Sequence, residues 1–534
     1  MSNDQQLITL RGQNREGIGA RSVEARLDLP HIPRVEALGL NDTFGVDVLL
    51  VNPPSPNRDP YIRDIHRVGR NSREGTIWPQ TSLAQLAAMF GEETSVKVVD
   101  CIGERMMWPE FEQLLVAERP RYYVTQATAP TLTNDMRGAF LAKSLGATTI
   151  AIGTHVSPAT EATLKAYPAL DFAIRGEPEE TVRELVDTLE ALRRRTGSQA
   201  ETALWLTEPE TLAQVKGIAY LHDGRMVATA DRPFIADLDT LPIPRHELLP
   251  LKAYKLPVVA GRYTFVVTSR GCPAGCRFCI KHVTYQNTYR LRSPEHIMRE
   301  VDKLVALGTT NIHFEADLFT INRDQVMGLC QALIDRGNPI RWTCNSRVDF
   351  VDAELLQMMA RSGCWMIAWG IESGTPEILQ RVRKGIRTDQ VVQALRWAKA
   401  AGIRNYGYFI IGLPGETKET IDRTIAFAKS LPLDFALFHI AVPYPGTPLW
   451  FEALEQGWLR VTRWEDFDMY NSAALEYPQL SAVELQKAAQ RAAREWALRP
   501  GPMWTFIKEL RHPDTMLQWV KIGVRHLSWL FGQS

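Results

Sequence analysis

From Val46 onward the chain alternates short apolar runs with longer stretches in which apolar residues recur every three or four positions. VDVLLVN (46–52), VKVVD (96–100), YYVTQ (122–126), TTIAIG (148–153) and DFAIR (171–175) read as strands, with SLAQLAAMF and TNDMRGAFLAKSLG as helices between them. Strands that are continuously apolar, rather than alternating, belong to a parallel sheet covered on both faces. Residues 45–200 are therefore predicted to form a doubly wound α/β domain. Ligands in such sheets bind beyond the carboxyl ends of the strands, here around 53–57, 128–130, 153–157 and 176–177. Residues 1–44 show no period and read as an N-terminal extension, while 201–255 read as a hairpin and linker.

A second alternation fills residues 256–450. After a strand at 263–269 come the strands NIHFE, RWTCNS, CWMIAWG, NYGYFIIG and DFALFHIAV, separated by helices such as SPEHIMREVDKLVALG and TDQVVQALRWAKAAG. Six strands with intervening helices predict a partial (β/α)6 barrel, whose active site belongs at the carboxyl ends of its strands. Beyond PYPGTPLW the pattern is helical, so 451–534 is predicted to be a C-terminal helical domain that caps the open barrel. Its last segment places Met516, Val520, Val524, Leu527 and Phe531 on one face and Gln518, Lys521 and Arg525 on another. A basic, Trp-bearing helix of this kind can also rest on a membrane surface, a peripheral contact that stays open.

The chemistry enters on the loop after the first strand of the second unit. GCPAGCRFC holds Cys272, Cys276 and Cys279, in a chain with 7 cysteines in all. Three thiolates on one short loop call for a metal centre, and three ligands leave a position open for chemistry. A zinc knuckle with His282 as fourth ligand is the alternative. Cys330 lies on the apolar side of a helix with Val326, Leu329 and Leu333 and is expected in the core.

With Phe278 as its aromatic residue, the pattern Cys-x-x-x-Cys-x-aromatic-Cys resembles the signature of radical S-adenosylmethionine (SAM) enzymes. The resemblance implies a [4Fe-4S] cluster on the three thiolates and SAM on the open iron. Other barrel strand ends carry Glu315 and Asp317, Arg347, Glu372 and Gly412. A carboxylate can accept from the methionine ammonium, an arginine can fork onto the carboxylate, and a glycine lets adenine approach the backbone. The family's usual Gly-Gly-Glu is replaced by Phe314-Glu315-Ala316-Asp317, which leaves open which carboxylate meets the ammonium.

VNPPSP, IGTHVSP and FAIRGEPEETVRELVDTL, together with the connector at 217–251, resemble the cobalamin-binding domain ahead of the barrel in one large subclass of that family. By this likeness Pro54, Ser55, Thr128, Ala129, Gly153, Thr154, His155, Gly176 and Glu177 are expected to meet a corrin. Asp64-Ile-His66-Arg-Val-Gly69 matches Asp-x-His-x-x-Gly, in which the histidine sits beneath cobalt, but here it lies in a charged loop well past the first strand. The subclass implies C-methylation: a deoxyadenosyl radical abstracts hydrogen from substrate carbon, which then captures methyl from methylcobalamin. Oxidative ring closure without methyl transfer, as in the anaerobic cyclase of chlorophyll biosynthesis, and a cobalamin-responsive sensor with an inert barrel are the rival readings. Tyr406, Tyr408 and Tyr444 near the barrel mouth could relay a proton, with packing as the simpler role.

Composition narrows the partners. The 61 basic and 61 acidic residues cancel, so no broad basic field exists to attract nucleic acid. There is neither an apolar run long enough to span a bilayer nor a secretory leader, which predicts a cytoplasmic protein. A small, apolar or polycyclic substrate is expected, together with an external electron donor of the flavodoxin or ferredoxin type.

Overall fold

The computed structural model describes residues 44–509 except 58, 66, 73–74, 197–207, 257–258, 287 and 471–472; beyond 509 it describes Met516, Trp519, Val520 and Gly523. The N-terminal extension, the candidate ligand His66 and most of the last amphipathic segment thus lie outside the described residues, as does the side chain of His282.

The first sheet has the parallel strands β1 (Val46–Asn52), β4 (Val96–Asp100), β5 (Pro120–Gln126), β6 (Thr148–Ile152) and β7 (Phe172–Ile174). The antiparallel pair β8 (Ile218–His222) and β9 (Arg225–Ala228) extends one edge, giving the order β4-β1-β5-β6-β7-β8-β9. Val48, Leu50, Val124, Ile150 and Ile152 pack towards one helical layer, and Leu49, Val51 and Tyr123 towards the other. Two apolar faces explain the uninterrupted hydrophobic runs. The hairpin expected in the connector is thus part of this sheet.

Between β1 and β4 the chain makes an antiparallel hairpin, β2 (Tyr61–Asp64) and β3 (Arg67–Asn71), where the sequence read as a charged loop. Long-range polar contacts hold it. The Arg63 guanidinium is fully buried, pairs with Asp135 at 3.0 Å, and donates to Asn52, Thr131 and the carbonyls of Pro53 and Pro54. Asp64 accepts from Ser82, and Gly69 sits so close to Thr128 that an added Cβ would lie 2.2 Å from its Oγ1. Local sequence period cannot signal such a hairpin, because its partners are far away in the chain.

The second sheet contains β10 (Tyr263–Val267), β13 (Asn311–Glu315), β14 (Arg341–Ser346), β15 (Cys364–Glu372), β16 (Arg404–Ile411) and β17 (Phe435–Ile440), all parallel and in that spatial order. A two-stranded ribbon of β11 (Ser269–Arg270) and β12 (Arg290–Leu291) brackets the cysteine loop. The outward residues Ile312, Phe314, Trp342, Ile367, Trp369 and Phe409 pack under the helices, and Cys330 is buried among them. The inner face is polar and aromatic instead: along β16 burial alternates, with Tyr406 and Tyr408 half-buried towards the lumen. The helix Ala482–Ala497 packs against β17 and contributes Leu485, Ala489 and Ala492 to the core.

Removing one partner of the Arg63–Asp135 pair leaves a buried charge uncompensated. Asp135→Ala is expected to lower stability by about 3 to 5 kcal/mol, read as a drop in the urea midpoint at an unchanged denaturant slope.

Candidate active site

The cysteine loop begins where β10 and β11 end. Gly271 has φ +89°, and an added Cβ would meet the Thr288 carbonyl oxygen at 2.1 Å, so only glycine turns the chain here. Its amide donates to Asp317 Oδ2 at 2.8 Å, which ties the loop to the end of β13. Arg277 N donates to the Val382 carbonyl, and Leu449 N to that of Arg277, so the loop is also pinned from below. Cys276 is buried, while Cys272 and Cys279 are half-buried.

Burial raises the Cys272 thiol above its ordinary range and pushes Cys279 up to about 12. Thiols of this kind release their protons when a cation replaces them, and the loop is ringed by positive charge. Arg347 Nη1 lies 3.8 Å from Cys276 Sγ, and Lys281 Nζ is 2.5 Å from Asp317 Oδ1 beside Cys279. Lys384 is buried; although burial disfavours its charge, Glu372 at 2.6 Å and Cys276 raise its pKa. Among the described residues no three His, Cys, Asp or Glu side chains converge tightly enough to hold a single ion. Three thiolates on one short loop suit three corners of an iron-sulfur cube and leave the fourth iron open.

The other expected SAM contacts line the strand ends. Phe278 packs against the barrel core. Arg347 is held by both oxygens of Asp349. Glu372 adopts φ +66°, and Gly370 makes room for it: a Cβ there would lie 2.7 Å from Glu372 Oε1 and 2.8 Å from Lys384 Nζ. Gly412, at φ +91°, donates from its amide to Glu416 Oε2 and accepts from the Tyr477 hydroxyl. The two candidate carboxylates part company. Glu315 takes both prongs of Arg67 from β3, at 3.0 and 2.8 Å; burial opposes its charge, but Arg67 and His313 outweigh it and hold the carboxyl well below its usual range. Asp317 faces the cysteine loop.

The residues expected to meet a corrin also divide. Pro54 O is taken by Arg63 and Asn134, the Thr128 amide by Asp135, and the Thr128 hydroxyl by Thr131. Glu177 is taken by Arg270 and Arg290 and by the Ile235 amide. These groups bond to one another and to β2–β3 and the cysteine ribbon, which the strand ends of the first sheet face. Ser55 is buried, Ala129 joins a cluster with Ile280, Val442, Tyr444 and Phe467, and the Gly176 amide donates to Ser157. Gly153 turns at φ +124°, and Thr154 Oγ1 donates to the Arg67 carbonyl. His155 is 3% exposed, and neither of its ring nitrogens has a hydrogen-bond partner among the described residues. Its ring meets Trp464 edge-on at 4.6 Å, and burial lowers its pKa to about 3.

Inside the barrel Tyr406 and Tyr408 stand 5.0 Å apart, His439 lies 5.7 Å from Tyr408 and 5.0 Å from Tyr470, and Trp78 packs on Phe265 at 4.1 Å. Tyr444 is buried in the seam cluster. The sequence reading missed Arg67, Lys281, Lys384 and Glu416. The last two follow strand ends by several residues, and their role depends on how the chain folds back.

The profile of the radical SAM superfamily matches residues 266–428. An uncharacterized methyltransferase of Pyrococcus horikoshii is 32% identical over 456 residues, covering 85% of this chain and 93% of that protein. An anaerobic magnesium-protoporphyrin IX monomethyl ester cyclase of Cereibacter sphaeroides is 28% identical over 388 residues, 71% of this chain and 61% of the cyclase. The same fold occurs in the cobalamin-dependent SAM radical enzyme OxsB (TM-score 0.65, 16% identity, covering 91% of this chain and 72% of that one). It occurs also in the radical SAM methyltransferase TsrM of Kitasatospora setae, solved with cobalamin and a [4Fe-4S] cluster (TM-score 0.61, 17% identity, covering 90% and 91%).

Glu416 supplies a test of the barrel end. Its carboxyl is fully buried and one oxygen has no partner among the described residues; burial raises its pKa from 4.5 to about 8. Between those values the folded state holds a proton that the unfolded state has lost, so stability from this group falls as pH rises from about 5 to 8. Glu416→Gln is expected to remove that slope, so that melting temperatures of wild type and variant diverge in the variant's favour towards pH 8. The cysteine loop, the strand-end residues facing it and the matched profile together place this chain in the radical SAM superfamily.

Proposed function

We infer that this protein is a cobalamin-dependent radical SAM enzyme that methylates a carbon of a small substrate. The observation that carries the reading is the cysteine loop at the carboxyl end of the first barrel strand, facing the strand ends of a second parallel sheet across a shared seam. The methyltransferase name of the Pyrococcus relative, and the cobalamin and cluster in the TsrM structure, support it.

Bound cluster and SAM would supply a carbon radical, and bound cobalamin a transferable methyl group. The chain's own part is positioning. Cys272, Cys276 and Cys279 grip the cluster, and the cations Lys281, Arg347 and Lys384 offset the negative charge of the thiolates. Arg347 and Lys384, paired here with Asp349 and Glu372, are assigned the SAM carboxylate. Asp317, beside the loop and shared with Lys281 and the Gly271 amide, is assigned the ammonium, while both oxygens of Glu315 are taken by Arg67. Gly412 brings backbone close to the adenine. On the seam side Gly153, Thr154 and His155 offer the contacts to the corrin.

Tyr406, Tyr408, Phe435 and His439 form an aromatic inner wall. Such a wall suits a flat, largely apolar substrate. Electrons for the cluster come from an external donor of the flavodoxin or ferredoxin class. No helix among the described residues is long and apolar enough to cross a membrane.

Anaerobic reconstitution with iron, sulfide and hydroxocobalamin, followed by SAM and a reductant, tests the reading. Iron near the stoichiometry of one cube, corrin absorbance after desalting, and both 5'-deoxyadenosine and S-adenosylhomocysteine are expected. Replacing the three loop cysteines by alanine abolishes iron and deoxyadenosine while leaving the corrin bands. Deoxyadenosine without S-adenosylhomocysteine in the presence of a turned-over substrate favours ring closure of the cyclase kind, and neither product favours the sensor.

A further inference from the structure

The strip between the helices Pro376–Arg381 and Thr388–Ala400 packs directly against the cysteine loop. The Arg277 amide donates to the Val382 carbonyl. A Cβ on Gly385 would lie 3.6 Å from Nη2 of Arg347, whose Nη1 is 3.8 Å from Cys276 Sγ. Burial alternates along the strip residue by residue. Val382, Lys384 and Ile386 are 1, 6 and 6% exposed, while Arg381, Arg383, Gly385 and Arg387 face solvent. The inward lysine feels the charge of Cys276, and three arginines stand on the outer surface above it.

Those arginines make a concentrated positive face. Residues 380–388, QRVRKGIRT, hold four cations and no carboxylate, in a chain whose charges cancel overall. The half-buried Arg277 of the cysteine loop adds to them. Among the described residues the outer set is answered by two carboxylates: Arg277 and Arg381 share Glu452, and Arg387 pairs with Asp389. Arg383 makes no ion pair there. The cysteine loop also reaches the surface, since Pro273 and Gly275 are exposed and a Cβ on Gly275 would meet nothing within 4 Å.

Such a face has a use in the chemistry of the family, on which this inference rests. Reductive cleavage of SAM consumes one electron. A donor is oxidised by one electron and the sulfonium is reduced, its C–S bond breaking to methionine and a 5'-deoxyadenosyl radical. Electron-transfer partners meet over small interfaces, and opposite charge raises their encounter rate by about 10- to 1,000-fold. We propose that Arg277, Arg381, Arg383 and Arg387 form the docking surface for an acidic one-electron carrier protein.

The test uses the anaerobically reconstituted holoenzyme and a purified flavodoxin as probe. Affinity is measured by thermophoresis at about 50 mM and about 300 mM salt, and 5'-deoxyadenosine release is followed with either reduced flavodoxin or dithionite as electron source. The higher salt is expected to weaken binding by about tenfold or more, because it screens exposed charge. Arg383→Glu combined with Arg387→Glu is expected to weaken low-salt binding by about tenfold or more and to slow flavodoxin-driven release in step. Its iron content and dithionite-driven release stay at the wild-type level. Arg225→Glu, on the edge strand β9 of the first sheet, leaves affinity unchanged. Arg383→Gln alone, expected to weaken binding by about threefold, decides the point together with the salt dependence even if the double variant misfolds.

Affinity that ignores salt, or that is unchanged in both strip variants, overturns the proposal. So does an equal loss in Arg225→Glu, or a wild type with no measurable affinity for flavodoxin. Wild type that releases no 5'-deoxyadenosine even with dithionite overturns the radical chemistry itself, a different failure from an enzyme that turns over with dithionite but does not bind the carrier.

Discussion

The structure depends on a buried seam of charge between its two sheets. Arg270, two residues before Cys272, is enclosed by Glu177 and Glu179 at the start of the helix Pro178–Thr196, and Arg290 closes the group from β12. All four side chains are nearly or fully buried. Breaking one partner of such a group is far costlier than breaking a surface pair. Arg67 makes a second crossing to Glu315 at the end of β13. The cysteine loop is therefore not an independent feature of the barrel: its approach strand is gripped by the first domain.

This arrangement turns two ligand-receiving edges towards each other. Each parallel sheet collects its loops at the carboxyl ends of its strands, and the charge seam makes those ends adjoin. On the barrel side the loops bring thiols, cations and Asp317 together. On the other side they bring a glycine turn, a threonine and an imidazole with no hydrogen-bond partner among the described residues, beneath an aromatic cover. Chemistry that needs two cofactors on one substrate requires such an arrangement, since a misplacement of even about 1 Å weakens orientation effects severely.

Much of this was legible in the chain. Continuous apolar runs announced the first parallel sheet because its strands are covered on both faces, the alternation of strands and helices announced the barrel, and the cysteine spacing is a local covalent signal that folding does not alter. The hairpin at 61–71 was not legible, because four of its eleven residues are charged and its stability comes from Asp135 and Thr128 far along the sequence. Glu177 read as a ligand because it ends a strand; that Arg270 and Arg290 would claim it is a fact of packing between domains. Lys384 and Arg67 gave no signal for the same reason. His155 was visible as a candidate, but its isolation depends on Trp464, which arrives from beyond the barrel.

The claim that buried charge sets the two halves against each other is tested most directly by a double-mutant cycle on Glu179 and Arg270. Glu179→Gln, Arg270→Met and the double variant would be compared by chemical denaturation. The account predicts a coupling energy of about 1.5 kcal/mol or more, as found for close buried charge pairs. A coupling below about 0.5 kcal/mol, the level of an exposed ion pair, would contradict it.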